Sequence, residues 1–418
     1  MRILLSAYAC RPNAGSEPGV GWNWATHLAA RGMEVHVLVA NRNQDPVEAG
    51  LRVNRPLNLN VTFVSVPYSW AKKSEALHYA LWQIAALKAA RELTRKFRFQ
   101  LAHHVTYASV HVPSQLWRLG IPLIFGPVGG GQTAPVSLLS YFGAGQRKER
   151  LRSVLTQALQ FSPFHRHSLQ QMSWILAANS DTLRLVQALG CSNSSLMCDT
   201  AIPQHYFAAG PRSFRERSAA LKLLWVGRML TRKALPLALD ALKASHADAT
   251  LTIAGDGLDA NAVHEMIRDR NLQQRVFWKG TRLTYEELRS AYATHDAMLF
   301  TSLRDTFGSQ LLEALAMGLP VITLDLHGAH DFVLDGASLK VKVANSESTV
   351  RNLAETIESY DRMTPQTKSR MSMEAWTFAK TLHWAGRAEC AENLYREVLS
   401  RARRPEHVST SKVAAASL

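Results

Sequence analysis

The chain has 418 residues, 47% apolar and 19% charged, a composition that reads as globular and a length that calls for two or three domains rather than one core. No run of about 18 uncharged apolar residues occurs, which excludes a membrane-spanning helix, and four scattered cysteines without a C-x-x-C pair exclude a disulfide framework and a structural zinc site. The formal charge is +15, of which +3 lies in the tail from Arg401 and +12 in the body; this fits an anionic partner (nucleotide phosphate, membrane surface or nucleic acid) as well as it fits a solvated basic surface.

The N-terminal stretch Met1–Leu5 is too briefly apolar for a signal peptide, and Arg2–Ala7 reads as a first strand. A helix over Trp22–Arg31 follows, ending at Gly32. Strands are expected at Glu34–Ala40 and Val61–Val66. Ser74–Phe97 carries Leu77, Leu81, Ile84 and Leu87 at amphipathic helical spacing. Leu101–Thr106 and Pro122–Phe125 are further strands, so the first half reads as a parallel sheet with helices on both faces. Pro203–Ala220 has no period and reads as a linker. Strands then recur at Leu221–Val226, Ala249–Ala254, Val276–Trp278, Ala297–Phe300 and Pro320–Thr323, with helices at Leu235–Ala244 and Leu311–Met317 and a long one over Trp376–Leu399. The plan is one α/β domain over residues 1–205, a linker over 206–220, a second over 221–375, a helix over 376–400 packing back on the first domain, and a disordered tail over 401–418.

Several loops follow strands, where doubly wound sheets bind ligands. Gly227 lets backbone approach a phosphate, and Arg228 and Lys233 could together hold a diphosphate; a surface loop explains them equally well. Asp305 and Glu313 stand eight apart across a helix start, suited to sugar and ribose hydroxyls, with Gly308 and the first helical amides suited to phosphate. In isolation the two acids read as a cap and a solvated residue. The glycines of Asn13–Gly21 permit close backbone approach to a ligand or a facing domain. His103 and His104 end a strand and point to opposite faces, so at most one meets a cleft. Gly129, Gly130 and Gly131 read as a backbone-lined acceptor wall or a plain turn. Gly255–Ala260 matches G-x-G-x-x-A, but the next strand ends without an acid, which argues against a nicotinamide cofactor. No D-x-D, H-E-x-x-H or G-K-[ST] occurs, so no metal or cofactor is expected and the positive charge must come from Arg228, Lys233 and amides.

DTFGSQLLEALAMGLP over Asp305–Pro320 resembles the E-x7-E signature of retaining glycosyltransferase family 4, with the GR…K and AGDG stretches in matching order. SAYACRPNAGSEPGVGW and HHVTYASVHVPSQLW…FGPVGGG are similar to a subgroup often involved in cell-surface polysaccharide assembly. The resemblance covers Arg2 to about Leu399. It implies a GT-B fold, two Rossmann-like domains facing across a cleft, and transfer of a sugar, with retention, from a nucleotide diphosphate sugar to a hydroxyl of a glycan or lipid-linked acceptor. It further implies that Arg228 and Lys233 contact the diphosphate, that Glu313 holds ribose, and that Asp305 binds the sugar. Gly19 and Gly21 would meet phosphates or sugar from the other domain, and His104, or else His103, would stand near the sugar. Gly227, Gly255, Gly280, Phe307, Gly308 and Ser309 complete the implied donor side. The family usually has glutamate at Asp305; the shorter side chain withdraws the carboxylate by roughly 1–1.5 Å and leaves the donor sugar open. A noncatalytic sugar-nucleotide binder and a nucleotide-sugar epimerase remain alternatives on this fold.

Arg147–Phe161 has Leu151, Val154, Leu155, Ala158 and Leu159 at helical spacing, with Arg147, Lys148, Arg150 and Arg152 crowding the helix start, where the macrodipole disfavours cations. An anionic membrane or a lipid-diphosphate acceptor would relieve this, and a solvated basic helix would also account for it. The expected location is the cytoplasm, at the inner face of the cell membrane; no nucleic-acid recognition motif is visible.

Overall fold

A computed structural model describes residues 1–67, 74–216, 219–257, 260–278, 280 and 283–403. Leu258 and Asp259 of the G-x-G-x-x-A match, Lys279, and most of the tail expected to be disordered lie outside the described residues.

The first series runs β1 (Arg2–Ser6), α1 (Ser16–Ala30), β2 (Glu34–Ala40), α2 (Gln44–Val53), β3 (Leu59–Val64), α3 (Glu75–Lys96), β4 (Leu101–His104), β5 (Leu123–Val128), α4 (Gln146–Ala158), α5 (Pro163–Gln170), β6 (Trp174–Ala177), α6 (Ser180–Ala188) and β7 (Ser194–Leu196). The second runs β8 (Leu221–Val226), α7 (Leu235–Ala244), β9 (Ala249–Ala254), α8 (Ala260–Arg268), β10 (Val276–Trp278), α9 (Tyr285–Thr294), β11 (Ala297–Phe300), α10 (Ser309–Ala316), β12 (Val321–Leu324), α11 (His327–Phe332), β13 (Ser338–Val341), α12 (Ser346–Arg362), α13 (Pro365–Ala379) and α14 (Trp384–Arg403).

Each series forms one parallel sheet, in the orders β3-β2-β1-β4-β5-β6-β7 and β10-β9-β8-β11-β12-β13. The order reverses beside β1 in the first sheet and beside β8 in the second. Connections leave these points in opposite directions, opening a crevice at the carboxyl ends of the strands. The central strands β5, β11 and β12 are buried along their whole length, as both-face helix cover requires.

The glycine-rich loop expected to feed α1 is largely helix. α1 begins at Ser16 rather than near Trp22, with Glu17 in its first turn. Gly19 and Gly21 lie inside it because the preceding loop crosses its surface. A Cβ on Gly19 would stand 1.9 Å from the Ala14 carbonyl oxygen, and one on Gly21 would stand 2.0 Å from that of Ala9. Helix packing therefore overrides the poor helical propensity of glycine here.

Two further expectations change. α3 turns Leu77 and Ile84 outward and buries the face of Tyr79, Trp82, Gln83, Ala86 and Ala90, because the aromatic rings carry more apolar area than the aliphatic stripe. The single helix expected over Trp376–Leu399 is two. Residues 380–383 leave the helix to run beside the outgoing chain: Ile202 N donates to Leu382 O at 2.9 Å, and Trp384 N to Ile202 O at 3.4 Å. α13 packs on α10, whereas α14 packs on α1, burying Trp384, Ala388, Ala391, Tyr395 and Val398 with Ile3, Trp24 and Leu28. Part of the expected linker is also fastened down. Arg212 N donates to Ser372 Oγ at 2.7 Å and Phe214 N to Ser369 Oγ at 2.9 Å, both on α13.

Gly21→Ala separates packing from propensity. Propensity alone would gain about 1 kcal/mol, but the clash with Ala9 should cost about 1–3 kcal/mol net. Urea unfolding followed by circular dichroism reads the sign.

Candidate active site at the domain interface

The loops after β8 and β11 are tied together by backbone acceptors. Thr301 Oγ1 donates to the carbonyls of Lys233 (3.2 Å) and Ala234 (3.1 Å), and Leu303 N to that of Arg232 (2.8 Å). Ala234 takes a left-handed conformation, φ +48°, at the end of the short turn Thr231–Lys233. The Lys233 side chain is 6% exposed. Its ammonium pairs with the Asp305 carboxylate and stands 5.1 Å from the centre of the Phe300 ring. Arg232 Nη1 reaches the other Asp305 oxygen at 2.9 Å. Burial pushes the Asp305 carboxyl up, but Lys233 and Arg232 outweigh it and hold the group at about 2. Burial likewise lowers the Lys233 ammonium, against the pull of Asp305.

Gly227 adopts φ +151°, which a side chain would resist. Its neighbour across the crevice is Gln310, whose Nε2 would lie 3.2 Å from a Cβ there. The Arg228 loop therefore abuts the first turn of α10. Gly308 precedes that helix and no side chain caps it, leaving its first amides directed at the crevice. Glu313, one turn on, accepts from the Tyr292 hydroxyl at 2.9 Å. Burial raises its carboxyl, opposed by hydrogen bonds from Tyr292 and Ser309 and by the Lys233 charge. Arg228 is exposed, and among the described residues no carboxylate pairs with it. Phe307 belongs to the core, edge-on to Phe332 at 5.9 Å, so only its backbone can meet a ligand. Gly280 ends the outer strand β10, with open space where a Cβ would point.

The facing domain holds the residues on either side of Asp305. Arg304 Nε lies 2.6 Å from Glu149 of α4. Thr306 receives Gln132 Nε2 on its hydroxyl at 3.3 Å and Asn179 Nδ2 on its carbonyl at 3.1 Å. Gly129 packs on Thr306, which a Cβ would approach to 3.1 Å. Gly130 and Gly131 back instead onto their own domain, against Ser109 and Thr182. Below this seam, His327 Nδ1 meets Asp181 at 2.7 Å, and Ser180 N donates to Asp331 at 2.6 Å.

The histidines expected near the sugar are enclosed by protein. His103 and His104 have no exposed surface. His103 is held by the Tyr395 hydroxyl (2.6 Å) and Gly126 O (2.8 Å), and His104 by Ser6, Tyr79 and Thr106. Burial lowers them to about 3 and about 4, so both are neutral structural groups. Their strand sits in the sheet centre, covered by α14 on one face and α3 on the other. His111 lies nearer the seam, 3.1 Å from Gly130 O, with its ring lowered by burial and by the Arg152 charge. Gly19 and Gly21 pack on their own loop, as described above. The preceding Glu17 accepts from Tyr107 N at 3.0 Å, and burial raises its carboxyl.

Asp199, at the domain crossing, was not visible as a site residue. Burial, then the charges of Glu17 and Asp305, push its carboxyl up to about 7, against the pull of Arg387. A protonated Asp199 can donate a hydrogen bond at neutral pH. Glu149, Gln132, Asn179 and Arg304 were also missed, since each is a common polar residue whose role depends on the other domain, and so was Arg232, whose partner Asp305 is distant in sequence. Among the described residues no cluster of His, Cys, Asp or Glu has the arrangement of a metal site.

Residues 211–374 match the family Glycosyl transferases group 1. Glycogen synthase of Mycobacterium tuberculosis (strain CDC 1551 / Oshkosh) is 27% identical over 197 residues, 46% of each chain, so this chain spans about half the length of that relative. The 2-deoxystreptamine N-acetyl-D-glucosaminyltransferase of Streptomyces fradiae is 26% identical over 73% of each chain. The lipopolysaccharide outer core galactosyltransferase WaaB, in its apo form, superposes with TM-score 0.65 at 15% identity, covering 95% of this chain and 99% of its own. Anabaena Alr3699/HepE in complex with UDP-glucose superposes with TM-score 0.56 at 14% identity, covering 96% and 100%. The fold is GT-B.

Two carboxylates give opposite pH signatures. Asp305→Asn leaves Lys233 buried beside a neutral amide and should cost about 3 kcal/mol. Because the folded carboxyl is depressed, that difference is full above about pH 4 and fades as pH falls through about 2. Asp199 is raised, so its burden on the fold grows from about pH 4 to about 7 and is constant above. Asp199→Asn should therefore raise the melting temperature more at pH 8 than at pH 5. Melting curves across pH check both.

Proposed function

We propose that the chain is a retaining glycosyltransferase. In this reading it moves a hexosyl group from a nucleotide diphosphate sugar to a hydroxyl of a glycan or lipid-linked acceptor, in cell-surface polysaccharide assembly, with no metal required. The observation that carries the proposal is the buried Lys233–Asp305 pair at the β8/β11 switch point, pressed against the facing domain through Thr306, with Glu313 one turn into α10. The group 1 match over this domain and the fold shared with a UDP-glucose complex support it.

Without ligand, Asp305 pairs with both Lys233 and Arg232 and offsets part of their charge. A donor diphosphate brings a larger anionic charge and competes for these cations, with the α10 amides and the exposed guanidinium of Arg228 completing the cradle. Asp305 is then released toward the sugar hydroxyls, while Glu313, oriented by Tyr292, accepts from the ribose. The bond from the anomeric carbon to the diphosphate oxygen breaks as the acceptor oxygen attacks from the same face. The acceptor proton passes to the departing oxygen, so no enzyme nucleophile is needed. Fixed cations and amides stabilise the charge that builds on the leaving group.

A thermal-shift panel of nucleoside diphosphates and their sugars identifies the donor: the true one at about 100-fold over its Kd adds about 2.7 kcal/mol of stability. With that donor, Arg228→Ala should lower transfer on the order of 100-fold or more. Near-normal turnover by a folded Arg228→Ala enzyme removes the leaving-group role.

A further inference from the structure

α4 is built inside out. Its protein-facing side carries polar groups: Glu149 pairs with Arg304, Arg152 Nη1 donates to Gln132 O at 3.2 Å, and Thr156 lies 3.2 Å from the His111 ring. Its outward side carries Leu151, Val154 and Leu155, which are 59%, 55% and 55% exposed. The stripe continues past the helix end through Phe161 and onto α5 at Phe164, which are 78% and 55% exposed. Five large apolar side chains on one contiguous segment are unusual for a surface facing only water.

Cations border this stripe at both ends. Arg147, Lys148 and Arg150 are exposed in the first turns of α4, and Arg166 is exposed on α5. Arg152, expected in the same basic set, is turned inward to the seam and leaves it. The outer face thus joins an apolar stripe to a group of unburied cations, on a chain whose formal charge is already +15.

We propose that α4 and the start of α5 form a docking face for an anionic bilayer surface. Leu151, Val154, Leu155, Phe161 and Phe164 enter the boundary between headgroups and acyl chains, and Arg147, Lys148 and Arg150 lie among the anionic headgroups. Apolar side chains flanked by cations are the combination that such an interface accepts. A second copy of this chain would bring its own cations to the contact and no compensating acids, since the one acid of α4, Glu149, is buried against Arg304. The face is the reverse side of the helix that grips the Asp305 loop. A docked bilayer would therefore lie one helix thickness from the interdomain crevice. The proposal does not depend on the reaction assigned above.

The test uses the full chain and sedimentation with vesicles of phosphatidylcholine alone or with about one third phosphatidylglycerol. The wild type should sediment with the anionic vesicles, less so as salt rises, and not with the neutral ones. Val154→Ser with Leu155→Ser, Phe161→Ser with Phe164→Ser, and the Gln triple at Arg147, Lys148 and Arg150 should each lower the bound fraction about tenfold. Melting temperatures equal to or above that of the wild type would show that these variants fold. Wild-type binding by folded variants, or binding indifferent to lipid charge, overturns the proposal. So does a wild-type dimer in sedimentation velocity that the apolar variants dissolve while no form binds vesicles.

Discussion

A buried ammonium needs an anion, and the two domains are arranged around that need. Lys233 is carried inward by the turn that ends at Ala234, and Asp305, one loop away, meets it with a full charge. Removing either partner would strand the other in a poorly hydrated place. The loop holding Asp305 cannot wander to another position, because Arg304 and Thr306 on its two sides are gripped by Glu149, Gln132 and Asn179 of the facing domain. The crevice is thus preorganised, with one carboxylate shared between two cations. Under the function proposed above, an anionic donor would exchange with that carboxylate, and its affinity would be a difference between two charge-assisted interactions rather than the whole of one.

That arrangement explains what could be read from the residues alone. β8, β9, β10, β11 and α7 follow from their apolar runs and bordering turn residues, since parallel strands buried on both faces have little choice of composition. The pairing of the β8 and β11 loops follows from doubly wound topology, which brings the ends of the first and fourth strands together. Where patterns misled, tertiary contact had overruled them. Gly19 and Gly21 look like loop glycines, yet they let a loop lie on a helix. The stripe Leu77–Ile84 looks like the buried face of α3, yet Tyr79 and Trp82 fill the space below. His103 and His104 point to opposite faces of their strand, as alternation requires, but a strand in the middle of a sheet has both faces covered. Asp199 gave no signal, because its perturbation comes first from burial in the fold and then from Glu17 and Asp305, which are distant in sequence.

α4 shows how one element can serve two surroundings. Its inward residues belong to the seam beside the Asp305 loop, where a single carboxylate, Glu149, lies between Arg304 and Arg152. Burial and the Arg304 charge lower the Arg152 guanidinium to about 10, opposed by Glu149. The preceding segment Val136–Gly145 reaches further across, placing Leu138, Leu139 and Phe142 in the core of the second domain. Tyr141 donates to Asp240 there at 3.0 Å. A rotation of one domain on the other would have to slide this segment within its socket or carry it along. The polar pairs at the seam can re-form in steps, whereas the inserted rings and leucines set discrete resting positions.

The return of α14 to the first domain has a consequence for biosynthesis. A ribosome delivers β1 and α1 early, yet the groove they form with His103 stays open until Trp384 and Tyr395 emerge. The second domain, continuous from β8 to α13, has all its own strands before then and can close its core first. Nascent chains would carry a half-covered amino-terminal unit until α14 emerges. A premature stop between β8 and α14 therefore exposes Trp24 and Leu28 in the domain that does not hold the lesion.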